Sequence, residues 1–391
     1  MSGLSHPAST PGPGRLLALL RESGGLTRRE LSRRSGLGRS TVSQQLAALL
    51  ASGLVVQAAP GASTGGRPPA RLEFNAGAGV VLAADVGATH SRVAVADLAG
   101  AIVGEVAGDL EVALGPDVFL GWLADRFDEL LARTPAPLRG IGVGLPGPVE
   151  YAAGRPVNPP IMPGWDGHPV ADRLSARHGV PVLVDNDVNV MAVGEHTRHW
   201  PDCPCLLYVK VGTGIGCGIV IGGRVHRGAQ GAAGDIGHLR VGGHDDVVCH
   251  CGNVGCLEAV AGGGALAAQA RALGLPARDS RELVALVRAH DRHAVRLVRQ
   301  AGRLIGEVVA HLVNVLNPAV IVIGGDVADA DEQLFAGVRE VVYQRSTPLA
   351  NRHLQIVHSQ LDDRAGVAGA AVMAIEHALA PEAIDRGARA P

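Results

Sequence analysis

Long apolar runs and secretion signals are missing from this chain of 391 residues. No stretch of about 18 uncharged apolar residues occurs, which argues against a membrane-spanning helix. The segment MSGLSHPASTPGPGR lacks a basic part followed by an apolar part. We therefore expect a cytoplasmic protein with two or three domains and no membrane partner. In that reducing compartment, the six cysteines are expected to be metal ligands or bystanders rather than disulfides.

Net charge is also small, at −2, but it is unevenly distributed. Residues 1–75 contain nine arginines against three glutamates, a net charge of +6, which leaves −8 for the rest of the chain. The sequence thus has a basic head and an acidic body. This asymmetry suggests that the head binds a polyanion, although an arginine-rich solvated face would give the same count.

The head has the pattern of a helix-turn-helix. RLLALLRES predicts a first helix from its leucine spacing. Thr27 followed by Glu30 is a capping box that begins a short second helix, and Gly36 predicts a tight turn. A third helix is predicted from Ser40 or its neighbour, with its apolar stripe facing the first two helices.

The start of the third helix carries short polar side chains, as a helix that reads base edges requires. Two short strands, over residues 54–58 and 70–74, are predicted around a Gly/Pro-rich loop, forming a wing in which Arg67 suits a narrow minor groove. The alternative is a small protein-interaction domain, but the combination favours double-stranded DNA. The candidate DNA contacts are Arg39, Ser40, Thr41, Ser43, Gln44 and Arg67.

The body repeats one arrangement, a strand, a glycine-rich turn and a strand. The first turn, D-x-G-x-T, predicts a phosphate-binding loop whose acid can hold Mg²⁺, although alone it is typical of an ordinary β-hairpin. A second unit about 125 residues later indicates a duplicated lobe with a cleft between the halves. If nucleotide binding is retained, the candidate contacts lie in these two turns and in a glycine pair after a later buried strand: Asp85, Gly87, Thr89, Gly212, Thr213, Gly214, Gly324 and Gly325.

A buried strand over residues 180–184 is predicted to place Asn186 and Asp187 before a helix that begins near Val188. Carboxylates and amides at strand ends are where α/β folds place ligand contacts. Asp187 could also be the N-cap of that helix.

A compact Cys/His cluster lies in the stretch GHLRVGGHDDVVCHCGNVGCLE. Cys249, Cys251 and Cys256, with His238 upstream, form a Cys₃His set suited to tetrahedral zinc rather than to a redox pair. Four protein ligands leave no open position for water, so the predicted zinc is structural.

These motifs resemble those of the ROK family of sugar kinases and sugar-responsive repressors, across essentially the whole chain. The sequences DVGAT, LPGPV, NDVN, GTGIG, GDIGH and CHCGNVGCLE occur in the family's order. The resemblance implies an α/β body, an actin/hexokinase-like pair of ribonuclease-H-type lobes, preceded by an α+β winged helix-turn-helix domain. The predicted domains are a disordered terminus at 1–14, the winged domain at 15–76, a first lobe at 79–200 and a second lobe at 201–391, whose final helix could pack on the first lobe.

The resemblance also implies site residues. Sugar hydroxyls would contact Asn186, Asp187, Asp235, His238 and Glu258, where Asp235 replaces the usual Glu. In a kinase, Asp187 would be the catalytic base and the glycine turns would hold ATP with Mg²⁺. Ala88 and His90, in place of the family kinases' usual Gly and Lys, argue against efficient catalysis, although the intact GTGIG leaves ATP binding open.

The resulting expectation is a homodimeric or homotetrameric repressor that leaves its operator DNA when a sugar or sugar phosphate binds. An ATP-dependent sugar kinase, with or without DNA binding, is the alternative.

Overall fold

The computed structural model describes residues 12–58, 70–330 and 332–388. In the head, three helices pack on a three-stranded antiparallel sheet with the order β1-β3-β2. The elements of the head are α1 (Pro13–Ser23), β1 (Leu26–Thr27), α2 (Arg28–Ser35), α3 (Arg39–Ala51), β2 (Val55–Gln57) and β3 (Arg71–Phe74).

Local signals in the head form as the sequence predicts. The Thr27 hydroxyl accepts a hydrogen bond from the Glu30 amide, and Glu30 Oε2 accepts one from the Thr27 amide at 2.8 Å, which confirms the capping box. Gly36 ends α2 with a φ of 73°. Helix α1 begins at Pro13, so the predicted disordered segment 1–14 is too long at its C-terminal end, because Pro13 suits the first turn of a helix. Arg67 lies outside the described residues.

The body contains two five-stranded sheets that share one topology. Each has a meander of three antiparallel strands followed by two parallel strands, in the orders β6-β5-β4-β7-β10 and β13-β12-β11-β14-β15. The first sheet consists of β4 (Val80–Val86), β5 (Ser91–Asp97), β6 (Ile102–Gly108), β7 (Leu138–Leu145) and β10 (Val182–Asn186), with β8 (Val149–Glu150) and β9 (Arg155–Pro156) as a separate pair. The second consists of β11 (Cys205–Val211), β12 (Ile215–Ile221), β13 (Arg224–Val225), β14 (Val320–Gly324) and β15 (Gln355–His358). The duplicated lobe is confirmed.

Helices cover both sheets and fill the connections between the parallel strands. The helices of the body are α4 (Pro116–Ala132), α5 (Val170–His178), α6 (Asp187–His199), α7 (Leu257–Ala261), α8 (Gly263–Ala272), α9 (Ser280–Arg288), α10 (Arg292–Leu316), α11 (Glu332–Arg345), α12 (Pro348–Asn351), α13 (Ala365–Ala378) and α14 (Pro381–Gly387). Among the described helices, no single one is long and apolar enough to span a membrane; the bent pair at Asp362–Ala378 and Pro381–Gly387 meets that test by length and composition alone.

The strand before α6 differs from the prediction by two residues. It runs from Val182 to Asn186, and α6 begins at Asp187. Asn186, not Asp187, is the N-cap, because its side-chain oxygen accepts hydrogen bonds from the amides of Val188 and Asn189. The Asp187 carboxylate is therefore available to other partners.

Helices α6 and α13 cross between the lobes. Helix α6 packs on β11 and β12 of the second lobe, whereas α13 packs on β4 and β7 of the first, so the final long helix reaches back to the first lobe. The two helices touch through glycine: a Cβ on Gly369 would lie 1.7 Å from the Val190 carbonyl oxygen. The pair of helices α6 and α13 therefore connects the two lobes next to the start of α6.

The head shares a hydrophobic core with the body. Leu16 and Leu20 of α1 belong to the same buried cluster as Ile375 and Leu379 at the end of α13. Helix α14 packs on α1, where Asp385 Oδ1 accepts a hydrogen bond from the Gly14 amide at 2.8 Å. A Cβ on Gly14 would lie 2.4 Å from the Pro381 carbonyl oxygen, so the close approach requires glycine.

Candidate functional site

A cleft of about 1690 Å³ lies between the lobes. Its walls come from the turns after β4, β11 and β14, from the start of α6, and from the segment between β13 and α7. Every residue predicted to contact sugar or nucleotide lines this one cleft, although the residues come from positions 85 to 325 of the chain. The predicted groups are thus brought together; their roles stay predictions.

A lysine that the motifs do not reveal lies on the floor of the cleft. Lys210, at the end of β11, donates to Asp187 Oδ2 at 2.5 Å, and its side chain is 20% exposed. Burial lowers the pKa of Lys210, but the carboxylates of Asp187 and Asp85 outweigh it and raise the pKa above its usual value. A single lysine in the apolar strand CLLYVKV was the signal in the sequence.

Asp85 faces the first turn of α13. A Cβ on Gly366 would lie 2.1 Å from the Asp85 Cγ, and Asp85 Oδ1 is shielded from solvent with no hydrogen-bond partner among the described residues. Desolvation raises the pKa of Asp85 to about 6; Lys210 opposes this rise and Asp187 adds to it. The carboxyl group is therefore poorly solvated on one side.

A second pair, also unanticipated, joins the two lobes beside the cleft. Arg227 Nε donates to Asp185 Oδ2 at 2.8 Å, and its guanidinium lies 3.9 Å from the centre of the Tyr151 ring. Asp185 Oδ1 accepts from the Asn186 amide and from Asn189 Nδ2. The pair holds the segment that leads to Asp235 against the strand end that carries Asn186.

Glu258 is placed by a glycine and by the start of α7. Its Oε2 atom accepts a hydrogen bond from the Ile215 amide at 3.0 Å. A Cβ on Gly214 would lie 2.2 Å from that oxygen, so a larger residue at this position would displace the Glu258 carboxylate. Helix α7 begins one residue after Cys256, its N-cap.

The Cys/His cluster forms as a compact set. One donor atom from each of His238, Cys249, Cys251 and Cys256 lies within 4.8 Å of the others; His244 and His250 are not members. Cys249 Sγ is 3.6 Å from His238 Nδ1, and Cys251 Sγ is 3.7 Å from Cys256 Sγ.

The chemistry of these donors fits a soft divalent metal. Burial raises the pKa of Cys249 and raises that of Cys256 to about 12, whereas a hydrogen bond with the Asn253 backbone lowers the pKa of Cys251. Buried thiolates are costly unless a cation compensates them. His238 Nε2 points the other way, 3.9 Å from Asp235 Oδ1, so one imidazole can serve both cluster and cleft.

His90 stands where the family's kinases usually carry lysine, and its imidazole is hydrogen-bonded to a carboxylate. His90 Nδ1 is 2.6 Å from Asp109 Oδ1. The hydrogen bond with His90 holds the pKa of Asp109 below its usual range. His90 and Ala88 both line the cleft, but the imidazole is already engaged by a carboxylate.

The predicted DNA-contact residues of α3 lie at its N-terminal end. Arg39, Ser40, Ser43 and Gln44 are exposed at the start of α3, and Thr41 is half-buried rather than fully outward. We define the basic surface as the five exposed arginines of α2 and α3, which form no salt bridge within the described part of the chain. These are Arg28, Arg29, Arg33, Arg34 and Arg39.

Known proteins resemble the chain over nearly its whole length. A ROK family model matches residues 81–377, and a MarR family model matches residues 10–63. The putative xylose repressor of Caldicellulosiruptor sp. (strain Rt8B.4) is 32% identical over 372 residues, which cover 91% of this chain and 93% of that protein.

Two solved structures show how far the likeness extends. The crystal structure of a ROK family transcriptional regulator, a homologue of the E. coli MLC protein, has a TM-score of 0.82 at 25% identity and covers 96% of this chain and 98% of its own. A ROK family glucokinase from Streptomyces griseus, in complex with glucose and AMPPNP, has a TM-score of 0.64 at 27% identity and covers 75% of this chain and 99% of its own. The body therefore has the actin/hexokinase-like fold behind a winged-helix head. The chain belongs to the ROK family.

Proposed function

We propose that this protein is a sugar-responsive transcriptional repressor. The observation that carries the proposal is that the winged-helix head shares one hydrophobic core with the first lobe and α13 of a body that contains a two-lobed cleft. A head that is packed on the body can respond directly to movements of the lobes around the cleft. The resemblance to the xylose repressor and to the ROK regulator, both matched over at least nine-tenths of this chain, supports the same function.

The head would bind operator DNA through α3 in the major groove. The exposed polar residues at its start would contact base edges, and the basic surface would contact phosphates. Arg67 would enter the adjoining minor groove from the wing. A homodimer or homotetramer would present two heads to two half-sites, as operator-binding proteins of this class do.

The effector would bind in the part of the cleft formed by the start of α6, the segment between β13 and α7, and α7 itself. Asn186, Asp187, Asp235, His238 and Glu258 supply amide, carboxylate and imidazole groups that can hydrogen-bond to sugar hydroxyls. Structural zinc on His238, Cys249, Cys251 and Cys256 would fix the first turn of α7, and with it Glu258.

Helix α13 supplies a route from the cleft to the head. Its first turn contacts Asp85, and its middle packs on α6. Its last turn carries Glu376, whose Oε1 atom lies 2.5 Å from the Nη2 atom of Arg21 in α1. A sugar that prefers one arrangement of the lobes would shift α13 and α14, and with them the head. Such a response requires different affinities for the two states, not binding alone.

The test is a titration of sugars against the protein bound to its own promoter. We expect at least one sugar to release the DNA in the parent protein, and Asp187→Asn to weaken that response while DNA binding stays intact. In the double variant Glu376→Ala/Asp385→Ala, sugar and DNA should each still bind, but release should need more sugar. Glu382→Ala, an exposed acid on α14 with no salt bridge among the described residues, is the matched control. A parent protein that ignores every double-stranded target at low ionic strength would disprove the proposal.

A sugar kinase is the second candidate, because the cleft retains Asp187 and the GTGIG turn. Bound ATP with Mg²⁺ would supply the phosphoryl group, and Asp187 would take the hydroxyl proton. The Lys210 ammonium already donates a hydrogen bond to Asp187, and His90 is hydrogen-bonded to Asp109. Both contacts disfavour this reaction. ATP-dependent hexose phosphorylation at ordinary kinase rates, abolished by Asp187→Asn, would favour the kinase over the repressor.

A further inference from the structure

A loop of the second lobe reaches the first lobe beside the predicted effector site. We call residues 226–234, which follow β13, the bridging loop. Both of its ends are held on β12 of its own lobe: the His226 amide donates to the Ile219 carbonyl at 2.8 Å, and the Cys217 amide donates to the Gly234 carbonyl at 2.9 Å. The contacts with the first lobe therefore come from the part between these ends.

Arg227 makes the charged contact of the bridging loop. Its Nε atom donates to Asp185 Oδ2 at 2.8 Å, and its Nη2 atom lies 2.7 Å from the same oxygen. The Asp185 side chain is only 3% exposed. The guanidinium carbon also lies 3.9 Å from the centre of the Tyr151 ring, between β8 and β9 of the first lobe. A buried carboxylate depends strongly on such a partner, because its charge is costly without one.

A second contact between the bridging loop and the first lobe is made by backbone. Gly231 has a φ of 93°, and a Cβ at this position would lie 2.4 Å from the Val149 carbonyl oxygen in β8. Glycine permits both this backbone conformation and the close approach. The bridging loop is thus held on the first lobe by one charged contact and one packing contact, four positions apart in the chain.

The carboxylate of Asp185 links two predicted sugar contacts that belong to different lobes. Its Oδ1 atom accepts from the Asn186 amide, and its Oδ2 atom accepts from the loop that leads directly to Asp235. Asn186 and Asp235 both line the cleft, whereas Asp185, Arg227 and Tyr151 are not among the residues that line it. The link therefore lies behind the wall of the cleft, where it supports the contact groups.

We infer that Arg227 is a positioning residue of the effector site. Through Asp185 and Tyr151 it holds the bridging loop on the first lobe. It thereby fixes the separation of Asp235 from Asn186 without contacting the effector. Residues that support the contact groups of a site from behind commonly set its affinity, because they keep those groups in the binding geometry. The inference rests on the proposed function, since it concerns the site of the same effector.

Two measurements on the full chain test the inference. Calorimetric titration with glucose, xylose and N-acetylglucosamine gives the sugar affinity, and amide hydrogen exchange without sugar reports on the bridging loop. We expect Arg227→Gln to bind the sugar that binds the parent about 10-fold more weakly. Exchange should become faster at the Ala233 amide, which donates to the Arg227 carbonyl at 3.1 Å, but not in β4 or β7. Arg224→Gln, which removes an exposed arginine of β13 with no salt bridge among the described residues, is the matched control and should change neither quantity.

Two further variants separate positioning from a general loss of stability. Arg227→Lys keeps the charge but not the planar group that contacts both the Asp185 oxygen and the Tyr151 ring, so its affinity should lie between those of the parent and Arg227→Gln. Arg227→Gln/Asp185→Asn leaves no unpaired charge in the interior, so it should fold even if the single variant does not. The double variant should show the same loss of sugar affinity and the same faster exchange in the bridging loop.

The outcomes distinguish failure of the inference from failure of the proposed function. If the parent binds a sugar and the double variant binds it equally well, the inference is overturned and the proposed function stands. A loss of affinity without faster exchange in the bridging loop also overturns the inference, because Arg227 would then not act by holding that loop. If none of the three sugars binds the parent or releases DNA, the proposed function fails, and the inference fails with it.

Discussion

The basic surface of the head and the lining of the cleft both contain cationic side chains, but these differ in whether a carboxylate is paired with them. On α2 and α3, five exposed arginines form no salt bridge within the described residues, so they can meet phosphates without losing a partner. In the cleft, each lysine and arginine is paired with a carboxylate. The number of cations near a site is therefore a poor guide to its ligand. On the head the arginine charges have no carboxylate partner among the described residues, whereas in the cleft the charges are balanced by neighbouring carboxylates.

The largest expected effect concerns the Cys/His cluster beside the cleft, which could hold a metal ion. We expect Cys251→Ser to abolish stoichiometric zinc binding and to destabilise the body by about 4 kcal/mol, because the buried Cys249 and Cys256 would lose the cation proposed to compensate their thiolates, and α7 would lose its anchor. Metal content by emission spectroscopy and thermal unfolding measure both effects. Cys203→Ser, outside the cluster, should keep full zinc content. Full zinc in the Cys251 variant would refute the ligand assignment.

A smaller effect is expected at Asp85, on the acidic side of the contrast. Its folded pKa of about 6 lies above the ordinary value of 3.8 for an aspartate, so the folded chain holds this proton more tightly than the unfolded chain does. Stability from this group is therefore present at low pH and is lost as the pH rises through the window from 4 to 6. Asp85→Asn should stabilise the protein by about 2 kcal/mol at pH 8, after allowance for partial solvent exposure, and hardly at all at pH 4. Urea unfolding at the two pH values measures the difference, and an equal gain at both would show that ionisation is not the cause.

On the basic side, Arg39→Ala should weaken operator binding about 10-fold and leave sugar binding unchanged. If Arg39 contacts a phosphate, the slope of the logarithm of the operator-binding constant against the logarithm of salt concentration should also become shallower by about 1. Arg67→Ala should weaken binding most at A·T-rich positions. Fluorescence anisotropy at several salt concentrations measures these effects. Arg240→Ala, which removes an exposed arginine paired with Asp245, is the control; equal losses in the control and in the Arg39 variant would mean that net charge, not the basic surface, governs binding.

The features that could be predicted from the sequence are those whose cause is local. Three such features depend on residues close together in the chain: the capping box at Thr27, the turn at Gly36 and the grouping of Cys249, Cys251 and Cys256. The structure contains all three. The pairing of Lys210 with Asp187 and that of Arg227 with Asp185 join residues 23 and 42 positions apart. Their partners depend on how two lobes meet, and periodicity does not encode that.

The same reasoning explains why domain organisation was only partly predictable. A winged head and a two-lobed body follow from separate motifs, but the contact between Arg21 and Glu376 spans 355 positions. No local pattern pairs α1 with α13 and α14. The shared core also depends on glycines at 14 and 369, whose roles become visible only when the neighbouring backbone is placed against them.

The smallest expected effect concerns the contact that links the two contrasting regions. Arg21 and Glu376 form an exposed pair, with 24% and 60% of their side chains accessible, so Glu376→Gln should cost less than about 1 kcal/mol of stability. Operator affinity and sugar affinity, measured separately, should each change less than about twofold, because neither site contains this residue. If the pair helps to transmit the response, the ratio of operator affinities with and without sugar should nevertheless shrink. Charge exchange, Arg21→Glu with Glu376→Arg, should restore that ratio; failure of the exchange to do so would indicate that the apolar contacts between α1 and α14 transmit the response instead.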